Sequence, residues 1–111
     1  MYSELRAGLA ERGITSFLQS PNQLVIAASF PNFPTQNTFW ITNRGGVWHV
    51  GTFLPTIYQV PAAVDICVVC EEILKSSATA IYKVNDDLVQ KHSLTRLSDE
   101  QREGLLSSMH K

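Results

Sequence analysis

The sequence predicts an α+β fold: a single domain holding an antiparallel β-meander of about five strands, with helices packed mainly on one face, in the order α-β-β-β-β-α-β-α-α. Three observations lead there. Between Ile14 and Phe53, short apolar and β-branched runs follow one another, separated by Pro-Asn, a proline-rich loop and Gly-Gly. Such punctuation marks consecutive hairpins, not crossover helices. Helical spacing of apolar residues is confined to the stretches before Gly13 and after Pro61. Finally, 111 residues with 44% hydrophobic content suffice to bury one core without disulfides or metal, so residues 1–111 read as one domain.

In chain order, Ser3 suits the cap of a first helix, "ELRAGLAER", with Leu5, Gly8 and Leu9 on one side and Gly13 as its stop. "ITSFLQ" and "LVIAASF" flank the turn residues "SPNQ" and form a first hairpin. "PNFPTQN" reads as a loop, because two prolines in close succession forbid a central strand. A second hairpin follows, with strands 38–44 and 46–53, and "LPTIYQV" reads as a second loop. Pro61 suits the first turn of a helix over 61–76, whose apolar side carries Ala63, Ile66, Cys67, Cys70, Ile73 and Leu74. "ATAIYKV" is a fifth strand, and Asn85 caps a short helix at "DDLVQKH". Ser98 and Gln101 form a capping box for a last helix, "DEQREGLLSSMH".

Charge is distributed unevenly. Between Gly13 and Val64 only Arg44 is fully charged, whereas all ten carboxylates and the other eight basic residues lie towards the two ends. The basic residues are scattered and the net charge is −1, which argues against nucleic acid as a partner, since phosphate contacts need clustered Lys and Arg. The longest apolar runs, "LVIAA" and "ICVVC", fall far short of the roughly twenty residues of a spanning helix, so no membrane partner is expected. "MYSELRAGLAER" carries charges where a signal peptide needs an apolar stretch, which makes a cytoplasmic location the expectation. Solvated sheet faces ordinarily carry Lys and Glu, partly to deter association. A sheet without them is covered either by the rest of its own chain or by a partner.

The second hairpin, "TFWITNRGGVWHVGTF", sharpens that alternative. A two-residue Gly45-Gly46 turn of the primed type places Arg44 opposite Val47. Alternation then puts Phe39, Ile41, Trp48 and Val50 on one face, which is core. The other face carries Thr38, Trp40, Thr42, Arg44, Val47, His49, Gly51 and Phe53, a mixture of aromatics, hydroxyls, a histidine and one cation. Trp40 is placed to cover the bare backbone of Gly51. Aromatics and Arg with few other charges are the composition of interface cores. Phe33, Trp40, Thr42, Arg44, His49 and Phe53 are therefore the candidate contact residues, with the "FPNFP" loop beside them.

Motifs for chemistry are weak. Cys67-Val-Val-Cys70 sits mid-helix among apolar residues with no second ligand pair, the setting of buried thiols acting as small hydrophobes. His49, alone in the predicted sheet, has no carboxylate on its strands to orient it as a base. Asp86-Asp87 fits the first turn of a helix, where negative charge meets the dipole. Gly45-Gly46 precedes no helix and is no phosphate loop. No catalytic residue, metal or cofactor is expected. The function expected is non-catalytic protein binding by a small module, chaperone-like or self-associating, with a protein partner or a second copy. The competing expectation is a small-molecule-binding or hydrolytic domain with a pocket between the sheet and helix 61–76, using His49 and a helix carboxylate.

Overall fold

A six-stranded sheet in which every strand pairs antiparallel with the next in sequence carries the middle of the chain. The structure, a computed structural model, describes residues 2–27, 38–53, 55–76 and 83–109. The elements are α1 (Tyr2–Glu11), β1 (Ser16–Ser20), β2 (Gln23–Ala27), β3 (Thr38–Arg44), β4 (Val47–Gly51), β5 (Ile57–Val60), α2 (Ile66–Lys75), α3 (Asp86–Lys91), β6 (Thr95–Arg96) and α4 (Asp99–Met109). An antiparallel meander with helices gathered mainly on one face is the architecture the sequence predicts.

Local chemistry sets the ends of these elements. Gly13, at φ +76°, stops α1 while the Ile14 amide returns to the Leu9 carbonyl at 2.9 Å, a Schellman closure that needs a left-handed residue. Asp65 caps α2 by accepting from the Cys67 amide at 2.9 Å, and Asn85 caps α3 by accepting from the Asp87 amide at 2.8 Å. Before α4, the Ser98 amide donates to Gln101 Oε1 at 2.9 Å while the Gln101 amide donates to Ser98 Oγ at 3.2 Å, the reciprocal box expected.

Three expectations are corrected. "LPTIYQV" contains a strand: Thr52 and Thr56 close a turn around Pro55, and Ile57–Val60 then pairs with β4, so both flanking prolines lie outside the ladder. Helix 61–76 begins later than expected, because Pro61 belongs to a preceding turn and the Asp65 cap starts the helix. Between α3 and α4 the pair Thr95–Arg96 adds a sixth strand to β5. The strand expected at 78–84 falls largely outside the described residues. Lys83 and Val84, at its end, are irregular, with Val84 buried in the core.

Register decides the faces. Leu24, Ile26, Phe39, Ile41, Val50, Tyr58 and Val60 share face one, where Leu5 and Leu9 of α1 and Val69, Cys70, Ile73 and Leu74 of α2 seal them. Burial of this many aliphatic side chains, at about 1.5–3 kcal/mol each before entropy is charged, is the main favourable term of the fold. The helices cross closely: a Cβ on Gly8 would stand 3.1 Å from Cys67 Sγ. Face two is the opposite side of the sheet, and α4 lies on it.

Candidate protein interface

The hairpin that carries the candidate residues closes as its sequence demands. Gly45 and Gly46 both have positive φ, at +59° and +82°, and the Gly46 amide donates to Asn43 Oδ1 at 3.1 Å. Two successive positive φ values define a primed turn, whose twist matches that of the strands it joins. Arg44 then stands opposite Val47, Thr42 opposite His49 and Trp40 opposite Gly51. The two faces fall as the alternation predicts.

Across face two, pairing aligns one apolar row over five strands: Phe17, Val25, Trp40, Gly51 and Ile57. Its middle is built around Trp40. With no side chain on Gly51, the indole lies directly on the backbone, since a Cβ there would sit 2.0 Å from the ring. The indole Nε1 donates to the Thr52 carbonyl at 3.2 Å, so its one polar atom is satisfied. Met109, with Leu97, Leu105 and Leu106, packs over Val25, Trp40 and Ile57, leaving Trp40 only 3% exposed. The cover that the sequence leaves open is thus supplied at this point by the chain's own α4.

The next row holds Thr42, His49 and Gln59. Thr42 Oγ1 donates to the Asn22 carbonyl at 2.5 Å, which ties β3 to the β1–β2 turn. Tyr2 Oη adds to this knot by accepting from the Asn43 amide at 3.0 Å. His49 is 7% exposed, and among the described residues its Nδ1 has no hydrogen-bond partner. Desolvation pushes the imidazole pKa below its ordinary value, the Arg44 charge adds to the effect, and the Val47 backbone opposes it. A charged His49 is therefore disfavoured.

These positions sort the candidates. Trp40, Thr42 and His49 are brought together on one face but lie in the interior of the domain. Arg44, at the hairpin tip, is exposed, and so is Phe53 just beyond β4, at 47%. Phe33 and the "FPNFP" loop lie outside the described residues. Substituting Trp40 consequently tests the core, whereas Arg44 and Phe53 test the surface.

The geometry also bears on the pocket expected between the sheet and helix 61–76. Most of that space is filled by the side chains of α2 that seal face one, and at the hairpin end a cleft of about 420 Å³ remains, lined by Glu4, Leu5, Asn43, Gly46, Trp48, Ile66 and Cys67. His49 points to face two, away from Asp65, Glu71 and Glu72 on α2, so the imagined base and carboxylate lie on opposite sides of the sheet. A histidine–carboxylate pair occurs elsewhere. His92 Nε2 lies 2.5 Å from Glu72 Oε2 while Lys91 Nζ donates to Glu72 Oε1 at 2.8 Å, which docks α3 onto α2. Lys91 and His92 together hold Glu72 below the usual carboxylate range. Beside them is an open groove of about 360 Å³ lined by both charge signs, including Glu72, Lys75, Asp87 and Lys91. Among the described residues no three His, Cys, Asp or Glu side chains gather as a metal site. Cys70 is fully buried and Cys67 half-buried, both are free thiols, and burial raises both pKa values, strongly for Cys70. Thiols so placed are poor nucleophiles and poor ligands.

What the sequence reading passes over is β1. Among the described residues, the large apolar side chains left exposed are Phe17 at 47%, Leu18 at 46% and Phe53. Phe17 and Leu18 are neighbours on the first strand of the sheet, which among the described residues pairs with β2 alone. Consecutive apolar residues break the alternation of a half-buried strand and put one side chain on each face. That was the available signal, but its weight depends on β1 being an edge, which is a property of the topology.

Comparison with known protein families, with curated proteins and with solved structures finds no match. Among the described residues, no helix is long and apolar enough to cross a membrane.

Proposed function

We propose that the chain is a non-catalytic protein-binding module of the cytoplasm, chaperone-like or self-associating, whose contact surface is the β1 side of the sheet. One observation carries this reading. The face-two row Phe17–Val25–Trp40–Gly51–Ile57 is roofed by α4 from Val25 to Ile57 and left bare at Phe17. An apolar row that runs uncovered off the edge of a charge-free strand invites continuation by another chain. Arg44, on the same face at the hairpin tip, adds exposed surface, and Phe53 beyond β4 is exposed as well. Two free thiols fit a reducing compartment. The scattered charges favour protein over nucleic acid.

The test places a photo-crosslinking phenylalanine analogue at position 17 in cells, with position 83, an exposed lysine on the helical side, as control. The expected result is a recurring protein adduct at position 17, identified by mass spectrometry and lost when Leu18→Lys is added. Adducts no more frequent at 17 than at 83 would overturn the proposal.

A further inference from the structure

We infer that the occupant of the β1 edge is a second copy of this chain, joined β1 to β1 antiparallel about a two-fold axis through Phe17, so that the two sheets run on as one. This rests on the protein-binding reading above and names its partner.

The class of occupant follows from hydrogen bonding. β1 pairs with β2, and among the described residues no strand pairs with its outer side. An edge strand presents a row of backbone N–H and C=O groups that only another extended chain can satisfy in register. The two edges of this sheet are treated differently. β6 is two residues long, carries Arg96 and is tied at its end by the Leu97 amide donating to the Ile57 carbonyl at 2.8 Å. β1 is five residues, Ser16 to Ser20, with neither a charge nor a proline among them. Its one irregularity lies between Leu18 and Ser20, at the far end, leaving Ser16 to Leu18 regular.

A copy fits that regular stretch. With the axis at Phe17, Phe17 stands opposite its own equivalent, and Ser16 opposite Leu18 of the other copy. On face two the apolar row of one copy then runs on, Val25–Phe17, into Phe17–Val25 of the next, closing the bare end of both. On face one the two Leu18 side chains stand diagonally across the axis, about 7–8 Å apart and within reach of each other's neighbours. Isologous pairing of this kind satisfies both copies with one patch and cannot propagate, because it consumes the open edge. No charge in β1 selects a foreign strand or repels a copy.

The helical side leaves room for the approach. α1 runs beside β1, and the groove between them, about 350 Å³, is lined by Arg6, Ala7, Ala10, Ile14, Thr15 and Ser16. Ala7 and Ala10 are exposed beside Arg6 and Thr15, so the shoulder facing the second copy carries two small methyl side chains, one hydroxyl and one cation. Arg6 donates to the Ser16 carbonyl at 3.1 Å, which steadies the strand's start. Five-residue strands bury less than the roughly 1,200–2,000 Å² of a standard interface, so the dimer is weak and depends on concentration even with the α1 shoulder added.

Sedimentation velocity of the full chain over a dilution series is the test, run on wild type, Phe17→Lys, Phe17→Glu and their equimolar mixture, with Leu18→Lys as a variant of a more tolerant position. Wild type should shift from monomer towards dimer as concentration rises. Each single charge variant should weaken dimerisation at least about tenfold, because like charges then face each other across the axis. The mixture should recover it, which only a two-fold through position 17 explains. Unchanged circular dichroism and melting would show that each variant still folds. Monomeric wild type at every concentration, or dimers indifferent to all three substitutions, would overturn the inference. A monomer that still gives a foreign adduct from position 17 would end the inference and leave the protein-binding reading in place.

Discussion

Gly51→Ala is the substitution whose cost the structure fixes most tightly. The added Cβ would lie 2.0, 2.2 and 2.5 Å from three carbons of the Trp40 indole. Carbon atoms rest at about 3.5–4.0 Å, so the ring must retreat by roughly 1.5 Å. It has nowhere to go. Trp40 is enclosed by Val25, Ile57 and Met109, and its Nε1 is fixed to the Thr52 carbonyl. Overpacking of a closed core costs about 1–3 kcal/mol, and loss or distortion of the indole hydrogen bond adds about 1. We expect a loss of about 2–4 kcal/mol, or roughly 8–16 °C in melting temperature for a domain near this size. Thermal denaturation followed by circular dichroism and tryptophan fluorescence measures it. A double-mutant cycle isolates the cause: in a Trp40→Ala background, Gly51→Ala should become neutral or favourable, since alanine suits a strand better than glycine. A loss under about 1 kcal/mol in wild type, or an equal loss in both backgrounds, would refute the stacking of Trp40 on Gly51.

Other outcomes follow from single groups. Ser93 closes α3 at φ +54°, a left-handed conformation costly for a residue with a Cβ, so Ser93→Gly should raise stability by about 0.5–1 kcal/mol in urea denaturation with an unchanged slope. His49 has a folded-state pKa below its ordinary 6.5, so the unfolded chain takes up the proton first. Its contribution to stability should be complete above pH 6.5 and fall as pH drops from there towards the folded value, and His49→Gln should flatten the stability profile across that window. Glu72 acts in a separate window, because its depressed pKa leaves its contribution intact above the ordinary 4.5 and removes it only as pH falls through the lower folded value. Cys70 should resist thiol reagents in the native state while Cys67 reacts slowly, and Cys70→Asp should unfold the domain, because an unpaired buried charge costs several kcal/mol.

The parts of the fold legible in the sequence are those specified by neighbours in the chain. Gly45-Gly46 sets the β3–β4 register by turn geometry alone, and from that the faces of Trp40, Thr42 and His49 follow. The Ser98–Gln101 box and the Asn85 cap mark helix starts in three or four residues. What escaped was fixed from a distance. β5 is four residues between two prolines and is a strand only because β4 is there to pair with it. β6, with two residues, has no local signal at all. Pro61 and Asp65 are both good helix starters, and packing of Ile66 on the core favours the second. The site shows the same division. Alternation shows that Trp40 and His49 share a face, yet the docking of α4 by Leu105, Leu106 and Met109 decides that Trp40 is interior. Phe17 and Leu18 read as ordinary strand residues until the strand order makes β1 an edge.

The most direct measurement of the central claim is amide hydrogen exchange over Ser16–Ser20, recorded on dilute and on concentrated protein. An open edge that takes a strand predicts rapid exchange of the outward amides in the monomer and slower exchange as the protein is concentrated, with the amides bonded to β2 protected throughout. Protection of the whole strand at the lowest concentration, or outward amides that exchange equally fast at both, would contradict it.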